Sequence, residues 1–296
     1  MHARLLLPLT LLLAACGGSG ASSDPASTAN ALVDPDGDLP TVFELSAVPG
    51  STSEMLLSTN RGLFKVSGGK ATPMPAKVTA DGTTAAVGKT MAMTATDDGQ
   101  LVGSGHPNDE GSPLPTELGI LRSEDGGSTW TSVARLGDAD IHMFVARHDR
   151  IYAWDAVLGA VLVSTDDGKT FKEGITPPGP VADMAVDPED PDAIVITGET
   201  AAFRSEDGGE TWRPLTSASD ARLAWPEGGP LVRADADGSV HHSTDGGETW
   251  ESVGSVEEQP QDFHVTEDGT LHLATADGSI FRSADAGRTW QPALRA

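Results

Sequence analysis

From residue 41 onward the chain is built from short apolar runs separated by turn residues. Gly-Ile-Leu-Arg at 119–122, Ala-Val-Leu-Val at 160–163, Ala-Phe-Arg at 202–204 and Ser-Ile-Phe-Arg at 279–282 each stop at a Ser-x-Asp turn. An aromatic residue starts the next run, as in Thr-Trp-Thr-Ser-Val at 129–133 and Thr-Trp-Glu-Ser-Val at 249–253. Two earlier runs complete each unit; in the last unit they are Asp-Phe-His-Val at 262–265 and Thr-Leu-His-Leu-Ala at 270–274, parted by Glu-Asp-Gly. Short strands bounded by turn chemistry predict an all-β fold, with four strands to the unit.

The turns between third and fourth strands repeat one octapeptide, Ser-x-Asp-x-Gly-x-Thr-aromatic. Its copies begin at Ser123, Ser164, Ser205, Ser243 and Ser283, and a spacing near 40 residues marks a repeat architecture. The Ser and Asp side chains are suited to accept backbone N–H groups and close the turn. The Gly supplies positive φ, and Trp130, Phe171, Trp212, Trp250 or Trp290 opens the outgoing strand as an apolar anchor. Asp125, Asp166, Asp207, Asp245 and Asp285 are therefore expected to be structural.

These five octapeptides resemble the Asp-box (BNR) repeat of sialidases, sortilin-type receptors and photosystem assembly factors. The resemblance implies a β-propeller with Asp boxes on the outer edge of the blades, away from the binding face. About 255 residues at roughly 40 per blade predict six four-stranded blades, with too little chain for a seventh. The first blade, near 41–78, lacks the Asp and Trp. The second, near 85–136, carries an insertion at 103–115; the others run near 138–176, 180–216, 220–256 and 260–294.

The chain opens with Met-His-Ala-Arg, an apolar run from Leu5 to Leu13, and Leu-Ala-Ala-Cys at 13–16. That run is too short to span a bilayer and suits a secretory signal. Its end resembles a bacterial lipobox, which implies cleavage before Cys16 and lipid on it. Cys16 is the sole cysteine, so no intrachain disulfide forms. The expected organisation is a signal peptide at 1–15, a Gly/Ser-rich linker at 16–40 and one propeller domain at 41–296, exported and held on a bacterial membrane facing outward. Lys and Arg total 19 against 44 Asp and Glu, a net charge of −25, which disfavours nucleic acid and anionic lipid as partners.

Aligned by apolar pattern, the innermost strands offer Glu44, Thr90, His142, Asp183, Arg222 and His264 at one level of the channel, with Asp140 and Asp262 two residues earlier. This polar ring is the candidate ligand site. The alternative is an ordinary water-filled channel. His106, in Ser-Gly-His-Pro before the insertion, is a second candidate. No HxH, HExxH or CxxC spacing supports a metal, and no cofactor is expected.

A sialidase needs an arginine triad, a Tyr nucleophile paired with a Glu, and an Asp acid. Tyr152, the only tyrosine, falls on a second strand, and the Phe-Arg-Ile-Pro motif of that family is absent. Arg122, Arg204 and Arg282 precede Asp boxes and belong to the repeat's edge. The chain also resembles bacterial Asp-box lipoproteins, some labelled glycosyl hydrolases. The expectation is a monomeric, non-catalytic binding or assembly module for a protein or glycan at the envelope. The alternative is an exo-acting glycosidase whose carboxyl pair includes Glu44, Asp183 or Asp262.

Overall fold

The computed structural model describes Leu32, Asp38 and residues 40–296, except 52, 108–110 and 216–219; the side chains of Thr90 and Met91 are also outside this set. The expected signal segment, Cys16 and all of the linker but Leu32, Asp38 and residue 40 lie outside the described residues. Every described element is a strand. The first four, β1 (Val42–Ala47), β2 (Met55–Thr59), β3 (Gly62–Ser67) and β4 (Lys70–Met74), form an antiparallel meander. Next come β5 (Lys77–Ala80), β6 (Thr83–Ala95), β7 (Leu101–Pro107), β8 (Ile120–Ser123) and β9 (Thr129–Ala134). A second meander contains β10 (Ile141–Arg147), β11 (Arg150–Asp155), β12 (Ala160–Ser164) and β13 (Lys172–Glu173). A third contains β14 (Val181–Val186), β15 (Ile194–Gly198), β16 (Ala202–Ser205) and β17 (Arg213–Leu215). The last two are β18 (Arg222–Ala224), β19 (Leu231–Ala234), β20 (Ser239–Ser243) and β21 (Glu251–Ser255), then β22 (Pro260–Val265), β23 (Leu271–Thr275), β24 (Ile280–Ser283) and β25 (Gln291–Leu294).

The expectation of six four-stranded blades is corrected. Five sheets are four-stranded blades, whereas β5 to β9 close into a barrel. The cause is β5, which falls where the sequence suggested only a connection. It pairs antiparallel with the first residues of β6 and parallel with β9, so the sheet has no free edge. The thirteen-residue β6 serves both neighbours by bending at register shifts near 88 and 91. The fully buried Trp130 packs with Val78, Leu101 and Leu121, with Leu114 from the insertion and Leu118, and with Leu56 and Leu63 of the first blade. Gly103 is required there, since a Cβ would lie 2.8 Å from the Trp130 ring.

The first strands of the blades meet in chain order around a central channel, with β6 between β1 and β10 and β22 back against β1. Alternate residues of these strands point to the two flanking neighbours. Met184 and Val186 pack with Tyr152 and Trp154 on the preceding blade, and Ala185 packs with Leu223 on the following one. First and last blades share no strand. They join through an apolar cluster in which Leu45 and Leu57 meet Ala274, Ile280 and Leu294. Leu32 is buried in the same cluster, and Arg61 donates to the carbonyls of Leu32 and Asp38 at 3.0 Å.

The five Asp boxes share one set of bonds. In the fourth copy, Ser243 Oγ donates to Asp245 Oδ1 at 2.8 Å and accepts Gly247 N–H at 2.7 Å. Asp245 also accepts Thr249 N–H at 2.9 Å and the Thr249 hydroxyl at 2.6 Å. In three copies the residue before the serine reaches the next turn. Arg122 donates to the carbonyl of Asp167, Arg204 to that of Gly246, and His242 bonds that of Ala286. The boxes thus tie adjacent blades at the rim.

Candidate functional site

Register locates the equivalent positions of the innermost strands. The Asp-box serines pair, through the middle strands, with Ala95, Ala146, Val186 and Val265. Three residues before these stand Ala92, Met143, Asp183 and Asp262; the same count gives Glu44 in β1 and Arg222 in β18. His142 occupies a bulge, His264 lies two residues beyond Asp262, and Thr90 lies two before Ala92. One extra residue in most first strands shifts the alternation, and an apolar pattern alone does not show where it sits.

Glu44, Asp183, Arg222 and Asp262 come together at the channel. A first strand has an unpaired edge, and two of these carboxyls satisfy it. Asp183 Oδ2 accepts Leu223 N–H of the next blade at 2.7 Å, while its Oδ1 accepts Met184 N–H at 2.7 Å. Asp262 Oδ2 accepts Leu45 N–H at 2.6 Å, which closes the ring from last blade to first. The Arg222 guanidinium donates to the carbonyls of Gln261 and Ala182 on its two sides. Desolvation pushes Asp183 up to about 6, against the pull of Arg222 and the two N–H bonds. Glu44 and Asp262 are also raised, first by burial and then by neighbouring carboxylates. His264 is held neutral, lowered to about 3 by burial and then by His272.

These groups form the inner end of a cavity of ≈ 520 Å³. Its mouth lies among the turns that join first to second strands, the end that also carries the Asp boxes, which corrects the expectation that the boxes stand away from the face bearing the site. Trp225, Phe144 and Phe263 are on the wall. Arg147 reaches across the mouth, donating to Val186 O and Trp225 O of two other blades, each at 2.9 Å. Sequence reasoning missed Arg147 and Trp225 as site residues, because each stands at the end of a strand read for its apolar pattern.

Two of the histidine candidates, His142 and His106, gather at the other end of the strands, while His264 lines the cavity. His142 Nε2 donates to Asp140 Oδ2 at 3.0 Å, His106 Nε2 stands 3.5 Å from Asp140 Oδ1, and His106 Nδ1 bonds Thr116 O at 2.9 Å. The bond to Asp140 raises His142 above its ordinary value. His106 and the ring residues Asp140 and His142, separate in the sequence reading, are therefore one cluster. It lies apart from Glu44 and Asp183. Among the described residues, no three His, Cys, Asp or Glu are arranged to hold a metal ion. Tyr152 is fully buried and donates to Pro191 O at 2.6 Å, which makes it a packing residue.

The Sortilin-Vps10 family model (Sortilin, neurotensin receptor 3) matches residues 119–236, and the BNR/Asp-box repeat model matches 241–252. The chain is a BNR-repeat β-propeller. Two solved structures share the fold. They are a GH74 xyloglucanase from Xanthomonas campestris (TM-score 0.55, 16% identity, 85% of this chain and 38% of that one) and the extracellular domain of a one-component system from B. thetaiotaomicron (0.54, 12%, 89% and 34%). The propeller is also 30% identical over 97 residues to the dispase autolysis-inducing protein of Streptomyces mobaraensis. That match covers 32% of this chain and spans about a quarter (25%) of the relative's length.

Proposed function

We propose that this BNR-repeat propeller is a non-catalytic binding or assembly module, taking its ligand at the channel mouth and carried at the cell envelope by a lipid on Cys16. The carrying observation is that the Asp183 and Asp262 carboxylates are committed to backbone N–H groups of the adjacent blade. A glycosidase of either stereochemistry needs one carboxyl free to give a proton and another free to attack or to activate water. Carboxylates that hold strand edges are poorly placed for either role. The second reading, an exo-acting glycoside hydrolase, draws on Glu44, whose pKa burial raises, as suits a proton donor. The 16% identity to the xyloglucanase extends only to fold and gives that reading no weight.

The test is hydrolysis of a broad fluorogenic glycoside panel, sialosides included, by soluble 21–296 and by Glu44→Gln. No turnover with either protein is expected. Turnover lost in Glu44→Gln would establish the enzyme instead. For the anchor, a Cys16→Ser protein should leave the membrane fraction, and its retention there would overturn lipidation.

A further inference from the structure

The inner end of the channel holds three carboxyl groups and one guanidinium. The guanidinium of Arg222 is tied to two backbone carbonyls, and two of the carboxyls are tied to backbone N–H groups. Glu44 differs. It lines the cavity, is only 9% exposed, and its carboxyl makes no hydrogen bond with any described residue. A carboxyl without a protein partner that opens onto a cavity is left available to an occupant. The surplus of acid over base makes an anionic occupant unfavourable. The carboxyls are not arranged to share one metal ion. The wall above them carries the partly exposed Trp225, and an aromatic ring beside carboxylates attracts organic cations. The cavity's ≈ 520 Å³ exceeds what an inorganic ion requires and falls in the usual range for small-molecule sites.

We propose that the channel is a receptor for an alkylammonium group, Trp225 taking the alkyl stem and Glu44 the charge. This rests on the binding-module reading and names the ligand class for that site. The same chemistry is presented by a lysine side chain of a partner protein and by a free diamine. Binding should expel protons, since an ammonium beside Glu44 favours its ionised form.

The experiment is isothermal titration calorimetry of soluble 21–296 with Nα-acetyl-lysine amide, with cadaverine, and with Nα-acetyl-norleucine amide as the uncharged control. Each titration is run in two buffers of different ionisation enthalpy. At least one amine should bind with proton release, and the norleucine compound should not bind. Preference for the acetyl-lysine amide would point to a protein partner, and preference for cadaverine to a free amine. Glu44→Gln should weaken binding about tenfold, and Trp225→Leu should weaken it in a protein whose channel carboxyls are intact. Equal binding of the norleucine compound, unchanged affinity in both variants, or no binding of either amine at about 1 mM would overturn the proposal. Glycoside turnover would overturn the non-catalytic reading while leaving the amine result to stand or fall alone.

Discussion

Asp245 in a rim turn and Asp183 beside the channel both accept backbone N–H groups, yet their protons behave oppositely. Asp245 takes Thr249 N–H and the Thr249 hydroxyl in open solvent, and those bonds, the hydroxyl's first, bring it down to about 2. Asp183 takes Leu223 N–H and Met184 N–H at 2.7 Å and has Arg222 nearby, and still rises to about 6. The donors are similar, and solvent decides. At the rim, water helps to hold the negative charge and the bonds add to it. In the channel, the loss of water outweighs two N–H bonds and a cation. The rim carboxylates are most useful as anions, whereas the channel carboxylates hold blades together in spite of their charge.

The largest expected effect that would break this comparison is in the channel. Asp183→Ala strips Leu223 N–H and Met184 N–H of their acceptor and should cost about 2–3 kcal/mol by urea unfolding. A loss no greater than that of an exposed site would mean that the edge of β18 does not depend on Asp183. At the rim, Asp207→Ala removes the acceptor for Thr211 N–H, 2.8 Å away, and for the Thr211 hydroxyl. The cost should be about 1 kcal/mol, reduced because water can replace the carboxylate, and ligand binding should be unchanged. An unaltered melting temperature would contradict a structural Asp box.

Acidity sharpens the contrast. Asp166, Asp245 and Asp285 are lowered to about 2, so their contribution to stability is full above the ordinary carboxylate value and is lost as pH falls toward 2. Asp183 is raised, so its protonation favours the fold below its ordinary value, and that gain is lost as pH rises through about 6. Melting temperature against pH should therefore fall at both ends, through different residues. A Thr249→Val protein should lose part of the acid-side protection and leave the profile near pH 6 as it was. The smallest effect is expected at Ala286, which sits at φ 57 where other copies carry Gly126, Gly208 or Gly246. Ala286→Gly should raise stability by less than about 1 kcal/mol, as relieved strain is partly offset by chain entropy.

The repeat was legible in the sequence because each Asp box needs the same side chains at the same spacing, and Ser, Asp, Gly and Thr each form one of its bonds. The blades around the five boxes followed, apart from the barrel. Lys77–Ala80 carries no turn motif or aromatic anchor, and its pairing with Thr129–Thr131 spans some fifty residues, a distance at which sequence pattern is silent. The ring was legible only in part. Glu44, Asp183 and Arg222 stand at equivalent positions, while Thr90 falls two residues before that position, His142 one before it and His264 two after it. His106 joined Asp140 and His142 through a contact between β7 and the start of β10, which no local pattern encodes.

The most direct test of the claim that channel carboxylates serve as blade ties is the melting temperature of Asp183→Asn and Asp183→Ala between pH 4 and pH 8, pH values of about two units either side of 6. Asparagine keeps an acceptor for Leu223 N–H and cannot ionise. It should match the wild type at low pH, where Asp183 is protonated, and lack the decline through about 6, while the alanine protein melts below the asparagine protein at every pH. Asparagine and alanine proteins that melt alike, with the wild-type decline intact in both, would contradict the account.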